Sequence, residues 1–150
     1  MHSILVKRIE ALTHSRLVTI NADATLIEAA HFLSNTRISL IVVCDSLGVM
    51  VGVITKTNIV QQIALSCMNI GTTLAADVMI KEVVACRLSD SLVDVLSMME
   101  KSSFVHIPVV DEHAKPVGVV NAGDAMRALM ADEKYESALL RNYVMGIGYR

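Results

Sequence analysis

The chain is poor in aromatic residues. They make up 3% of its 150 positions, as three tyrosines and two phenylalanines with no tryptophan. A close-packed interior must therefore be filled by Val, Ile, Leu, Ala and Met, which carry most of the 53% apolar content. Charge is scarce as well, at 19% with a net of −2, and no basic block exists anywhere. A duplex-binding surface needs cations clustered against phosphates, so nucleic acid is not an expected partner. No apolar run nears the roughly 18 residues that would cross a bilayer. Lys7, Arg8 and Glu10 stand where a signal peptide would stay apolar, so the expected location is the cytoplasm, away from membrane. Cys44, Cys67 and Cys86 are odd in number, far apart and without a CxxC. That spacing argues against a disulfide framework or a metal site, and Cys44 within "ISLIVVC" reads as a small hydrophobe. Missing too are a P-loop, a nucleophile motif, clustered acids and a Gly-x-Gly-x-x-Gly after a strand, so no enzyme and no catalytic residue is expected. Low charge beside high apolar content fits two situations: an apolar face covered by a second copy of the chain, or a well-filled α/β core.

What the sequence does contain is a repeat. "VGVITKTN" at 51–58 returns as "VGVVNAGD" at 117–124, a shift of 66 positions. The same shift lays Leu26 on Leu92, Ile41 on Ile107, Val43 on Val109, Asp45 on Asp111 and Gly52 on Gly118 without a gap. Thr25 and Ser91 read as helix N-caps, with Glu28 and Asp94 three residues on. Leu26, Ala29, Ala30 and Leu33, and Leu92, Val95, Leu96 and Met99, each follow the i, i+3, i+4, i+7 spacing of one helical face. Short β-branched runs follow at 38–44 and 104–110, then turns at "DSLG" and "DEHAK". Second strands at 50–54 and 116–120 lead into helices near Thr57 and Gly123. With the extended pieces "RLVTI" and "EVVACRL" in front, each unit reads strand, helix, strand, strand, helix. The predicted class is α/β (α+β): two such units related by a pseudo-twofold and packed sheet to sheet, because a half of about 60 residues buries too little alone. The boundaries read as 1–67 for the first unit with its N-terminal segment, 68–75 for a linker, 76–131 for the second unit, and 132–150 for a C-terminal helix and tail.

These residues resemble a tandem CBS-domain pair, or Bateman module. The resemblance rests on Asp77-Val78-Met79, on "HIPVVD" from His106 to Asp111, and on Gly118 to Asp124; it runs from about residue 8 to 131 and is looser in the first copy. It implies a small stand-alone CBS-domain protein without an obligatory cofactor, acting as a sensor and not a catalyst. Its regulatory ligand would be an adenine nucleotide (AMP, ADP, ATP, a NAD-type dinucleotide or S-adenosylmethionine). Two pairs commonly join into a homodimer, and an effector protein not identified by the sequence would read the ligand state. The alternative is a structural dimerisation module whose clefts bind no nucleotide.

The family places a hydroxyl and, three residues on, an acid at the start of the last helix. Here the two are divided between the copies: Thr55 with Asn58, and Asn121 with Asp124. A carboxylate accepts from both ribose hydroxyls, whereas an amide offers one acceptor and a donor. The residue types therefore rank the Asp124 cleft above the Asn58 cleft, and Asp124→Ala is expected to weaken binding more than Asn58→Ala. By position, the base would meet extended segments including Val18, Ile20, Ser39 and Leu40 in the first copy, and Val84, Ala85, Val105, His106 and Pro108 in the second. Pro108 lacks a backbone donor and predicts a strand edge. Lys56 and Arg127 flank the two helix starts and are candidate phosphate partners, set against an ordinary role as solvated surface charge; His106 is another candidate, set against a satisfied strand histidine.

Overall fold

The computed structural model describes residues 3–66 and 69–132. The helix expected beyond Asp132, with Tyr135, Leu139, Leu140 and Tyr143, lies outside the described residues. The chain begins with a 3₁₀ turn (Val6–Ile9) and α1 (Glu10–Ser15). The first unit follows as β1 (Thr19–Asn21), α2 (Leu26–Leu33), β2 (Leu40–Cys44), β3 (Met50–Thr55) and α3 (Lys56–Ser66). After α4 (Ala75–Val78), the second unit runs α5 (Leu92–Ser102), β4 (His106–Val110), β5 (Pro116–Asn121) and α6 (Ala122–Met130).

The 66-residue shift holds down to register. Val42 pairs with Val53 and Val43 with Gly52 across β2 and β3; Pro108 pairs with Val119 and Val109 with Gly118 across β4 and β5. Both antiparallel pairs slip at the same place, between Val43 and Cys44 and between Val109 and Val110. The turns match too. Asp45 Oδ1 accepts from the Leu47 and Val49 N–H groups, and Asp111 Oδ1 from those of His113 and Lys115. Gly48 takes the left-handed conformation at φ +83, and Ala114 is forced into it at φ +60.

The two sheets differ at one edge, for a reason visible in the sequence. Val42 N–H donates to Val18 O at 3.0 Å, which opens the parallel pairing of β1 with β2. The corresponding position in β4 is Pro108, which has no N–H to give Val84 O. Parallel pairing there shrinks to a single bridge between Cys86 and Val109. The extended piece expected over "EVVACRL" is therefore not a full strand. Pro108 does sit at the edge away from β5, but it is buried, not open.

The helical faces read from the sequence are the buried ones. Leu26, Ala29 and Leu33 pack with Ile41, Val43 and Ile54; Leu92, Val95 and Met99 pack with Ile107, Val109 and Val120. Of the two predicted caps, Ser91 Oγ accepts from Asp94 N–H at 3.1 Å, while Thr25 makes no side-chain cap bond. Leu40, Val42, Cys44, Val53 and Val119 form a third cluster where the sheets face each other.

Each unit is covered by the segment that precedes the other. Ile4 and Val6 belong to the core of the second unit, tied there by Val6 N–H to Asp90 O and Leu92 N–H to Ile4 O. Ala75 and Val78 belong to the core of the first unit, tied by Ala75 N–H to Ala24 O and Leu26 N–H to Thr73 O. The N-terminal segment, grouped with the first unit by sequence order, thus packs on the second. These crossings explain the doubled "VGV". A Cβ on Gly52 would lie 2.6 Å from Met79 Sδ and 2.9 Å from Ile80 O; one on Gly118 would lie 2.6 Å from Thr13 Oγ1 and 2.9 Å from Thr13 Cβ. Thr13 and Met79 are themselves 66 positions apart. Glycine is required here by close approach of another segment.

Candidate functional site

A cavity of about 490 Å3 opens where α3 begins, within the size range of small-ligand sites. Ser39, Leu40, Thr55, Lys56, Thr57, Asn58 and Gln61 line it from the first unit, Ser103, Phe104, Val105 and His106 from the second, and Ile80 from the crossing segment. The structure thus brings together Ser39, Leu40, Thr55, Lys56, Asn58, Val105 and His106. It leaves Val18, Ile20, Val84, Ala85, Pro108, Asn121, Asp124 and Arg127 out of this lining.

The start of α3 is built around its cap. Thr55 Oγ1 accepts from Asn58 N–H at 3.0 Å, which satisfies one of the free donors of the first turn. That turn contains no acid, so the positive end of the helix is set beside the cavity with Lys56 next to it. Asn58 itself is 7% exposed. Its Nδ2 donates to Val78 O at 3.2 Å, and among the described residues its buried Oδ1 has no hydrogen-bond partner. A buried acceptor left bare costs free energy, and a donor from a bound molecule would remove that cost.

His106 is half-buried on the opposite wall. Burial pushes its pKa down and Arg16 pushes it further; Asp124 pulls it back in part, and Lys56 adds a smaller push down. In the free protein it is a neutral imidazole at neutral pH. Among the described residues no carboxylate lines the cavity.

The other helix start is different. Asn121 Oδ1 caps α6 by accepting from Asp124 N–H at 2.7 Å, the role that Thr55 plays in α3. The Asp124 carboxylate is held by two arginines. Oδ2 accepts from Arg16 Nε, and Oδ1 accepts from Arg16 Nη2 at 2.9 Å and Arg127 Nη2 at 2.8 Å. Burial raises the Asp124 pKa, but the hydrogen bonds from Arg16 and Arg127 outweigh it and leave it below the usual carboxylate range. Residue type ranks acid before amide; openness runs the other way. Arg127 is committed to Asp124, while Lys56 is exposed at the cavity mouth.

Sequence reasoning missed Arg16, whose counterpart in the second copy is Glu82, so the repeat gave no hint of it. It also missed Ser103, Phe104 and Ile80, which stand beside quoted motifs and are placed by the pairing of the units. Among the described residues no group of side chains forms a metal site, and no helix is long and apolar enough to cross a membrane.

A protein of Acidianus ambivalens described as an uncharacterized 17.7 kDa protein is 26% identical over 126 residues, covering 84% of this chain and 75% of its own. Relatives named as homoserine O-acetyltransferases match over about a fifth of their own length. A CBS domain pair in complex with 5′-methylthioadenosine and S-adenosyl-L-methionine aligns with TM-score 0.73 and 25% identity, over 85% of this chain and 96% of that one. The cytosolic domain of the Mg2+ channel MgtE in complex with ATP aligns with TM-score 0.63 and 25% identity, over 76% of this chain and 45% of that one. The sequence model of the CBS domain matches twice, at residues 6–65 and 75–131, one match for each repeat. With both units matched and their pairing reproduced, the chain belongs to the CBS-domain family as a tandem pair.

Proposed function

We propose that the chain is a non-catalytic regulatory module that binds a phosphate-bearing adenine nucleotide in the cleft of Thr55, Lys56, Asn58 and His106. The observation that carries this reading is Asn58, which lines a cavity of about 490 Å3 and whose buried Oδ1 has no partner among the described residues. A ribose hydroxyl supplies the donor it lacks. The phosphate meets the start of α3, Lys56 and His106, where none of the described lining residues is an acid. S-adenosylmethionine brings a sulfonium cation to the same charge pattern and is the poorer fit. That a CBS domain pair and a structurally similar cytosolic domain each hold adenine compounds supports the ligand class.

The cavity is shared by both units, so occupancy acts on how they pack. A ligand shifts that packing only by binding two arrangements unequally. A homodimer belongs to the same proposal. Ile27 and Phe32 on α2 and Val60 and Ile63 on α3 are 45–64% exposed on adjoining helices, an apolar surface suited to a second copy.

Thermal melting with AMP, ATP, NAD and S-adenosylmethionine tests the reading. AMP or ATP at about 100 times its Kd stabilises by roughly 2.7 kcal/mol, a shift of several degrees. Asn58→Ala removes most of that shift. No shift with any adenylate at millimolar concentration leaves the structural dimerisation reading in its place.

A further inference from the structure

The repeat relation predicts where a second cleft would stand. Carried forward by 66 positions, Thr55, Asn58 and Gln61 become Asn121, Asp124 and Arg127; carried back, Ser103 becomes Arg37. One lip of that cleft is the start of α6, and the other is the chain around Arg37. Arg16 spans both. It holds Asp124 through Nε and Nη2, and its Nη1 reaches Arg37 O at 3.5 Å, a long contact. Its side chain is 17% exposed and that of Asp124 is 1% exposed. Arg127 folds back onto Asp124 Oδ1 from the solvent side. Gly123 leaves room for it, since a Cβ there would stand 3.3 Å from both terminal guanidinium nitrogens.

We infer that Arg16 is a built-in occupant of the second cleft, and that the protein therefore binds one nucleotide per chain, in the Asn58 cleft. A bidentate guanidinium–carboxylate pair is among the stronger polar contacts available to a protein. A ribose diol reaching Asp124 would replace it with bonds from neutral hydroxyls and leave a largely buried guanidinium without its counter-charge, so the exchange is unfavourable. Two differences outside the repeated phrase then underlie the asymmetry between the two helix starts: Arg16, shortly before β1, has Glu82 as its counterpart in the second copy, and Arg127 has Gln61 as its counterpart in the first. The nature of the ligand rests on the proposed function; the number bound is the content of this inference.

Calorimetric titration with AMP reads that number directly. The wild-type chain is expected to bind one equivalent, and Arg16→Ala and Arg16→Gln two. The added equivalent is lost again when Asp124→Asn is combined with either. Two equivalents on the wild type overturn the inference, whatever the variants do. So does the absence of an added equivalent in an Arg16 variant that keeps a cooperative melt; Arg16→Gln retains length and polarity if Arg16→Ala does not fold. One equivalent on the wild type and one on the variants leaves the proposed function standing without the occupant. None on the wild type and one on the variants overturns both the Asn58 site and the count of one, and keeps only Arg16 as the occupant of the second cleft.

Discussion

Asn58 and Asp124 hold equivalent places in the two repeats, yet Asn58 keeps a buried acceptor free while Asp124 has both oxygens bound by arginine. The difference in chemistry between an amide and a carboxylate is one atom. The difference in state comes from Arg16, which arrives from a different part of the chain, and from Arg127 one turn along α6.

Asp124 supports the fold whether or not a ligand is present. Its folded pKa lies below the unfolded value of about 3.9. A depressed carboxylate stabilises fully above its unfolded pKa and loses that contribution as pH falls through the folded one. Asp124→Ala should cost roughly 2–3 kcal/mol at pH 7, since it leaves Arg16 without its partner. The gap between variant and wild type should narrow below about pH 4. Urea unfolding across pH checks both; a constant gap down to pH 2 would count against the ion pair.

His106 should make AMP binding pH-dependent. Its pKa is low in the free protein because of burial and nearby cations. A phosphate beside it raises the pKa in the complex, so binding takes up a proton. Affinity is expected to tighten about fivefold from pH 8 to pH 6, and His106→Asn should flatten the profile. Protonation of the phosphate itself, with a pKa near about 6, acts in the opposite direction and is common to both proteins. Equal profiles would show that the phosphate lies elsewhere.

The crossings predict a cost for adding one methyl group. Gly52→Ala and Gly118→Ala should each lose roughly 1–3 kcal/mol, as overpacked sites do. Gly118→Ala should be the worse, because its clash includes Thr13 Cβ at 2.9 Å and backbone carbon at 3.0 Å, and Thr13 is 1% exposed. Met79 Sδ and Cγ, by contrast, belong to a flexible unbranched side chain, although Ile80 O beside them is fixed backbone. Chemical denaturation of the two variants decides the order.

The opposite change should help at Ala114. It adopts φ +60 where its repeat counterpart Gly48 has φ +83. Ala114→Gly relieves left-handed strain worth about 1 kcal/mol, less the extra freedom glycine has when unfolded. The expected net is a gain of roughly 0.5 kcal/mol, read as a higher melting temperature. A loss would mean that the turn depends on the methyl group.

Most of the fold was legible because it repeats. Leu26 with Leu92 and Ala29 with Val95 marked the buried helical faces, and the 66-residue shift carried the strand register with them. What was not legible arose where the halves stop being copies. Pro108 turned a strand into a single bridge, although the proline was in plain view; its effect depends on a carbonyl facing it across the sheet. Arg16 was invisible because a long side chain can reach partners far along the chain, and no local pattern announces the reach. The cleft residues were named in part, since Thr55 and Asn58 lie in the repeated phrase. Which of two like clefts stays open is decided by contacts between distant segments.

The exchange of covering segments has a consequence for how the molecule comes apart. Residues 4–6 complete the core of the second unit, and residues 75–78 complete the core of the first. Neither unit is contiguous, so neither can unfold and leave its neighbour whole. Cutting away the first dozen residues would open the hydrophobic interior on the far side of the molecule, near Leu92 and Leu129, and leave the nearer unit covered. Loss of native structure is then a single shared event, and strain placed on either unit is felt as instability of both.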